Sequence, residues 1–561
     1  MKIFKSFSFV FAAIINLILF WLVYRFLEPG FQTNDDTGMM LSVAGVVRVI
    51  EPTPYLLFTH FLVGKLLIWF YENWPREPWY AYYLITGLYL SYTAILSIVL
   101  RRKNTILGLV VYLLFFLLLG IDLLQNLQFT VTSSVLVISG FILFFDSIRK
   151  KKSVNWVAIA GGVILVVIGS LVRWNSFLLF AGLLIPILAL SSIQVKARAI
   201  LFQRLIGPVL AVVIALIFHQ IEIIEYSKDE GWEKYRSFNA LKSKVIDYGY
   251  LEGLNDEDLQ PILEQGGWSL NDYQMMRTWA FFDPEIYNEE NLGIILNQVE
   301  DRRERPSFGF VLSHLRDVFL SRYGIGGILF LFITISVTVP TRKQKIEVFF
   351  LLGAVLMALV FMAVFLKPAP LRLQLPLLLT PGFYALATFK RISFNRETLI
   401  TKRGIFITLL LVASVAQTIQ FTSVRNYVSE VNKRKERWNK QLITQHINPN
   451  SNQLFVVWGP AYTWTGITPF SELNYMRDFR TFSLGSFQQS PVSIQFLNHL
   501  NINDLWTELV EYNDVFLCVN INQLENLDYL NTYYIEHYGY EIEPQLLLKS
   551  DIFNIYRINR K

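Results

Sequence analysis

The sequence predicts an α-helical polytopic membrane protein with about eleven transmembrane helices, a helical external loop and a small C-terminal α/β external domain. Three observations predict this fold class. Hydrophobic residues make up 53% of the 561-residue chain, whereas charged residues make up only 17%. Apolar runs of about 15 to 22 residues recur along the chain, close to the length that crosses a bilayer. Lys and Arg lie mostly between these runs, and the exceptions, Arg25 and Arg372, lie near run ends.

The basic residues occur at every second connection between apolar runs. Lys2 and Lys5 precede the first run, and further basic clusters lie at 101–103, 149–152, 196–204, 342–345 and 390–403. Under the positive-inside rule, this alternation places the N-terminus in the cytoplasm and the C-terminus outside. The short loops favour a bacterial inner (plasma) membrane. The predicted helices are 7–27, 79–100, 105–121, 131–145, 154–172, 177–193, 205–224, 324–339, 346–366, 371–389 and 405–421.

A further apolar stretch, 54–69, could be read as an additional span. Lys65 lies within it and two prolines stand at its start. A span here would invert the charge alternation for the rest of the chain. We therefore predict a helix in the membrane interface, with Trp69 and Trp74 at headgroup depth.

The long polar segments fall on the external side of this topology. The segment 225–323 has helical spacing and high aromatic content, which predicts an ordered helical insertion. Strand-like runs at 453–459, 513–520 and near the C-terminus flank helical sequence, which predicts an α/β domain. The predicted divisions are an N-terminal transmembrane region 1–224 with a first external acidic loop 28–78, a large external loop 225–323, a C-terminal transmembrane region 324–421 and an external α/β domain 422–561.

Two adjacent carboxylates, Asp35 and Asp36, follow the first helix. Acidic groups near a membrane are solvated, paired or functional, because their burial is costly. One interpretation is a polar turn in which Asn34 or Asp35 caps the next helix. The other is an external site in which a carboxylate accepts a proton from an attacking hydroxyl.

The acidic pair after the first helix, the interfacial stretch, the multi-helix body and the soluble tail together resemble the GT-C class of membrane glycosyltransferases. The resemblance covers the whole chain, but its motif is short. The Asp-Asp pair departs from the Asp-Glu pair of the protein O-mannosyltransferase and aminoarabinose transferase branches, which leaves the sub-family open. The resemblance implies a polyprenyl-phosphate-sugar lipid donor, an acceptor on the external face and Asp35 or Asp36 as the catalytic base.

A lipid phosphate would need cationic partners, and three basic residues lie at predicted external helix ends. Arg173 is in a tight turn, Lys367 precedes a late helix and Arg372 lies at the start of that helix. The stretch at Arg372 resembles the Arg-Tyr segment before a late GT-C helix, with Leu373 in place of Tyr. Each cation could instead anchor its helix at the headgroups. His60 could contact substrate, although a lone histidine is more often structural.

Aromatic and acidic residues of the large loop could line an acceptor cleft, since aromatic rings stack on sugars; the candidates are Asp247, Asp272, Trp279 and Asp283. Core packing is the alternative for Trp279. Asp122 and Gln128 could face the same cavity, although a turn role is also consistent with Asp122. Two carboxylates could hold a divalent cation with water, but two ligands do not make a cage, so we predict no metal site and no obligatory cofactor.

Three other functions remain as alternatives to the transferase. A lipid-linked sugar flippase or transporter would carry charged or broken helices at the membrane midplane. An oligosaccharide polymerase or ligase would share the substrates but would not need the carboxylate pair. A non-enzymatic scaffold is compatible with every residue. The basic residues sit at helix ends, so they do not predict a nucleic-acid partner.

Overall fold

The architecture consists of a bundle of long apolar helices and a module of shorter, more polar elements. The computed structural model of the protein describes residues 7–46, 51–101, 105–148, 155–192, 198–299, 306–336, 338–391, 402–446, 453–459, 467–473, 480–550 and 552–561. The following elements belong to these residues.

The first part of the chain forms most of the bundle. Helix α7 lies at its centre, packed against α4, α8 and α9 and against α18 from the later part of the chain, Leu371–Thr388. The elements are α1 (Ser8–Phe26), β1 (Gly30–Phe31), α2 (Asn34–Val43), α3 (Phe61–Asn73), α4 (Trp79–Leu100), α5 (Thr105–Phe115), a π-helical turn (Phe116–Gly120), α6 (Ile121–Gln125), β2 (Asn126–Leu127), α7 (Phe129–Ile148), α8 (Trp156–Val172), α9 (Trp174–Ser192) and α10 (Arg198–Tyr226).

The middle of the chain leaves the bundle and then returns to it. Helices α11 (Glu230–Ile246), α12 (Asp256–Gln265), α13 (Leu270–Arg277) and α14 (Glu289–Val299) form the polar excursion. Asp229 caps α11, and a Ser269–Asp272 capping box starts α13. The returning elements are α15 (Phe308–Leu320), α16 (Arg322–Ser336), β3 (Thr338–Val339), α17 (Arg342–Phe365), α18 (Leu371–Thr388), β4 (Lys390–Arg391) and the long α19 (Lys402–His446).

The helices identify a multi-pass membrane protein. Within the described residues, seven are long and apolar enough to cross a membrane, or eight if the bent pair α15 and α16 counts as one span. This pair turns by 63°. Helix α8 is apolar but shorter than these spans. Each of the eleven predicted apolar runs overlaps a described helix, and the run 105–121 extends over α5, the π-helical turn and the start of α6. The number of helices that cross the membrane remains a prediction.

The C-terminal part of the chain contributes a five-stranded mixed sheet. Its strand order is β6-β5-β7-β9-β8, in which β6, β5 and β7 are parallel and β9 and β8 are antiparallel to their neighbours. Its elements are β5 (Leu454–Trp458), β6 (Arg480–Ser483), α20 (Pro491–His499), α21 (Leu505–Glu511), β7 (Val515–Asn520), α22 (Asn526–Tyr538), β8 (Ile542–Lys549) and β9 (Phe553–Arg560).

The polar helices α11–α14 and this sheet share one hydrophobic core. Trp268 from the excursion and Trp458 and Trp506 from the C-terminal part are all fully buried. The Trp458 indole donates to the carbonyl of Thr278 at 2.8 Å. We call residues 230–299 together with 453–561 the polar module, because burying these faces requires both segments.

Several predicted boundaries were wrong. The interfacial stretch becomes helical only at Phe61, seven residues later than predicted, where the His60 ring caps the helix by accepting from Leu62 N. The predicted cap of the next helix was also wrong, since neither Asn34 nor Asp35 is the N-cap of α2. The cap is Thr33, so both aspartates lie in the first turn.

Two helices also extend beyond their predicted ends. The third predicted span continues to Gln125, so Asp122 lies within a helix rather than at its end. The last predicted span, 405–421, is part of a helix that continues to His446. Of the predicted basic clusters, 101–103 lies partly and 149–152 wholly outside the described residues.

Candidate functional site

The start of α2 is brought to the centre of the fold by a short parallel ladder. Gly30 pairs with Asn126, and Phe31 pairs with Leu127. This pairing places the first turn of α2 beside the first residue of α7. Asp35 and Asp36 therefore lie where the loop after α1 meets the bundle interior.

Asp36 is fully buried and accepts three hydrogen bonds. Its donors are the Tyr80 hydroxyl at 3.0 Å, the Phe129 backbone N–H at 3.1 Å and the Thr33 hydroxyl at 3.2 Å. Burial is the largest influence on this carboxyl and raises the pKa of Asp36 to about 8. The group is therefore mainly protonated at neutral pH, and its contacts join α2, α4 and α7.

Asp35 has different surroundings. Its side chain is partly exposed and makes no hydrogen bond to any residue that the structure describes. Desolvation raises the pKa of Asp35. The charges of Arg372, Arg173 and Lys242 oppose this rise, whereas Asp247 adds to it. This carboxylate thus interacts with several cations, and its oxygens accept from no donor among the described residues.

Arg173 is fixed by aromatic rings in the turn between α8 and α9. Its guanidinium carbon lies 4.8 Å from the centre of the Phe58 ring and 5.0 Å from that of Phe129. These contacts are cation–π interactions. Burial lowers the pKa of Arg173 to about 10, so the group stays charged at neutral pH. Its interaction with Asp35 favours that charge.

Arg372 and Lys367 lie on either side of the start of α18, but they have different surroundings. Arg372 is in the first turn of α18 and interacts with Asp35 and Arg173. Lys367 binds the polar module instead, with its ammonium 3.4 Å from the Ile246 carbonyl and 3.5 Å from a Glu252 oxygen. This contact holds the end of α11 against the bundle beside the site.

The polar module contributes Lys242 and Asp247 to the same group of charges. Asp247 follows α11 and is exposed, whereas Lys242 is only 2% exposed. Sequence reasoning named Asp247 but missed Lys242. The spacing of the helix could have revealed it. Lys242 lies on the same helical stripe as the buried residues Trp232, Tyr235, Phe238 and Val245.

The remaining predicted acceptor residues lie within the polar module. Asp272 accepts from Ser269 N and pairs with His537 at 2.8 Å. Asp283 accepts from the Tyr533 hydroxyl at 2.5 Å and from backbone groups of its own turn. Trp279 borders Lys242. The structure therefore brings Asp247 and Trp279 towards the Asp35 charge group, whereas Asp272 and Asp283 make internal contacts of the module.

His60 has both ring nitrogens engaged. Nδ1 accepts from Leu62 N, so Nε2 carries the proton that it donates to the Phe218 carbonyl at 2.9 Å. Burial lowers the pKa of His60. Its described contacts are structural and hold the start of α3 against α10.

Asp122 and Gln128 belong to neighbouring polar contacts. Asp122 lies 3.6 Å from Arg322 and accepts from the Asn126 amide at 2.8 Å. Gln128 caps α7 by accepting from Val131 N at 2.8 Å. Among the described residues, the one group of three side chains arranged to hold a metal is Asp272, Glu536 and His537, which does not include Asp35 or Asp36.

Comparison with known proteins identifies no family. No protein-family description and no curated protein matches the sequence. The chain is similar to the crystal structure of ArnT from Cupriavidus metallidurans bound to undecaprenyl phosphate, with 11% identity, a TM-score of 0.43 and coverage of 98% of this chain and 97% of that chain. The apo ArnT structure gives 11% identity, a TM-score of 0.42 and the same coverage. At this identity and TM-score, neither structure assigns a function to this chain.

Proposed function

We propose that the protein is a membrane glycosyltransferase that moves a sugar from a polyprenyl-phosphate donor to an acceptor hydroxyl on the external face. One observation carries the proposal. Asp35, a carboxylate without a described hydrogen-bond partner, faces Arg173, Arg372 and Lys242. A base beside a group of cations is what transfer from a phosphate leaving group requires.

In the proposed step, Asp35 removes the proton of the acceptor hydroxyl as its oxygen bonds to the anomeric carbon. The bond between that carbon and the phosphate oxygen breaks, and the phosphate leaves with the electron pair. A raised pKa suits Asp35 to this task, because a base works best when its pKa approaches the operating pH. Arg173 and Arg372 would stabilise the developing phosphate charge, since guanidinium groups match phosphate oxygens.

Asp36 has a positioning role in this proposal. Its contacts with Tyr80, Thr33 and Phe129 fix the first turn of α2 from three directions. The same turn carries Asp35. A protonated Asp36 would also avoid a second negative charge beside the base.

The sidedness of the site is part of the proposal. The alternation of basic clusters predicts that the start of α2 and the polar module lie on the non-cytoplasmic side. Lipid-linked donors would then reach the cations from the membrane, and acceptors would approach from the polar module.

The test compares wild type with Asp35→Asn in membranes that contain matched amounts of protein. Polyprenyl phosphate charged with each of a panel of radiolabelled hexoses and pentoses is supplied, and label is counted in lipid, glycan and protein fractions. Asp256→Asn is the matched control, because Asp256 is exposed and also lies in the first turn of a helix. We expect transfer by wild type and the control and its loss in Asp35→Asn.

Two other results would contradict the proposal. Equal labelling by wild type and a strain lacking the protein would favour a scaffold. Movement of intact lipid-linked sugar across vesicles, with no covalent transfer and no dependence on Asp35, would favour the flippase.

A further inference from the structure

The ammonium group of Lys242 is buried between aromatic rings. It lies 5.1 Å from the centre of the Trp279 ring and 5.6 Å from that of Phe281. The residue is 2% exposed. By contrast, Lys234 on the same helix is 74% exposed and pairs with Glu230 at 2.7 Å. Lys242 and Lys234 thus occupy opposite environments although they lie on the same helix.

Within the described part of the chain, Lys242 has no partner of the kind that a buried cation normally has. It makes no hydrogen bond and no ion pair within 4 Å to any residue that the structure describes. Asp247 and Asp35 interact with it only over a longer range. Burial of a charged group is costly unless the charge is paired, and ring contacts offset only part of that cost. An anion delivered by a ligand would supply the missing partner.

The surroundings hold Lys242 in place beside the Asp35 charges. Trp279 adopts a positive φ of 68°, which is uncommon for a bulky residue. Its carbonyl accepts from the Gln488 amide at 3.1 Å. The contact between Lys367 and the Ile246 carbonyl fixes the end of α11 against the bundle. These contacts fix Trp279 and the end of α11, the two elements next to the Lys242 ammonium.

We infer that Lys242 is a phosphate-binding residue, contributed by the polar module, for an oxyanion that enters between the module and the helical bundle. The inference rests on the proposed function, because it assigns a ligand to the same group of charges. The phosphate is either that of the lipid donor or one carried by a water-soluble molecule on the acceptor side. In both cases the module completes a binding site that Arg173 and Arg372 begin.

The experiment measures binding by full-length protein in detergent. The probes are polyprenyl monophosphate and, separately, N-acetylglucosamine 1-phosphate, with polyprenol as the phosphate-free reference. The variants are Lys242→Met, which fills the aromatic slot without charge, and Lys242→Arg, which keeps the charge. Lys234→Met is the matched control on the same helix. A melting temperature is recorded for each protein with and without probe.

We expect Lys242→Met to weaken binding of at least one phosphate probe by about tenfold or more, with binding largely restored in Lys242→Arg and unchanged in Lys234→Met. We also expect ligand-free Lys242→Met to melt at or above the wild-type temperature, because it removes a buried charge that no described residue pairs. A loss confined to polyprenyl monophosphate assigns Lys242 to the donor phosphate, and a loss confined to the soluble probe assigns it to the acceptor side.

The inference is overturned if wild type binds polyprenyl monophosphate, Arg372→Met loses that binding and Lys242→Met does not lose binding of either probe. That result would leave the proposed function standing. A different result would separate the two proposals the other way. If wild type neither binds polyprenyl monophosphate nor transfers sugar, but binds the soluble probe in a manner that requires Lys242, the inference stands and the proposed function fails. A lower melting temperature of Lys242→Met with unchanged affinities would make Lys242 a packing residue and would also overturn the inference.

Discussion

Replacement of Asp36 by Asn tests whether this buried carboxyl is neutral. Asn keeps the shape of a protonated Asp, so its oxygen can accept from Tyr80 and Phe129 while its amide donates to Thr33. The observed distances of 3.0, 3.1 and 3.2 Å accommodate these bonds. We therefore expect Asp36→Asn to fold and to retain transfer within about threefold of wild type.

The size of the effect on the free energy of unfolding follows from the pKa of Asp36, which burial raises to about 8 from an ordinary value of 3.8. Between these values the unfolded chain loses its proton while the folded protein keeps it, so the contribution of this group to stability falls as pH rises. At pH 7 the cost is about 4 kcal/mol, at about 1.4 kcal/mol per pH unit above the ordinary pKa. Asn avoids this cost.

Asp36→Ala should have the opposite effect on stability. It leaves the Phe129 N–H without its recorded side-chain acceptor and the Tyr80 hydroxyl with only the weak acceptor Met39 Sδ at 4.0 Å, and a buried group without an acceptor costs about 1–3 kcal/mol. Melting temperatures in detergent should therefore rank Asn at or above wild type and Ala clearly below. Transfer activity of the two variants, normalised to folded protein, completes the assay.

One result would refute this reasoning. If Asp36→Asn melts at or above the wild-type temperature and is nevertheless as inactive as Asp35→Asn, then Asp36 acts in its ionised form. The neutral, positioning role would then be wrong, and the two aspartates would share the chemistry.

Three further predictions address the rest of the chain. Gly30→Ala should lower the melting temperature slightly, because a Cβ there would displace the Arg425 guanidinium from the Gln125 carbonyl to which it donates at 3.1 Å, and Arg425→Ala should abolish the difference. His537→Gln should destabilise at pH 6 but not at pH 9: Asp272 raises the pKa of His537, so this stabilisation is full below the ordinary value of 6.5 and is lost as pH rises through the folded pKa. Cys518 is the only cysteine and is fully buried, so native protein should not react with a membrane-impermeant maleimide, whereas a cysteine introduced at the last residue should react from outside intact cells. Reaction only after lysis would contradict the predicted orientation.

The sequence by itself located the helices of the bundle. Long apolar runs form helices wherever they occur, because backbone hydrogen bonds within a helix and hydrophobic length are properties of the local chain. The same locality explains the boundary errors. The start of α3 depends on the His60 cap, and α19 continues to His446 because polar sequence beyond an apolar run can still be helical.

Pairing between distant segments could not be read from the chain. Trp268 and Trp506 share a core although more than two hundred residues separate them. Hydrophobic patterning shows that each segment has a face to bury, but it does not identify the partner face. The polar module therefore emerged only from the tertiary structure.

In the candidate site, too, the sequence predicted some features and only the tertiary structure decided the others. The sequence singled out Asp35, Asp36, Arg173 and Arg372 from their positions at helix ends, but it treated the aspartates alike and passed over Lys242. The tertiary structure distinguishes them, because it buries Asp36 among three donors, leaves Asp35 facing cations and encloses Lys242 between rings. Residue type and position in the chain set which groups can ionise, whereas desolvation and the charges of distant segments set which of them do.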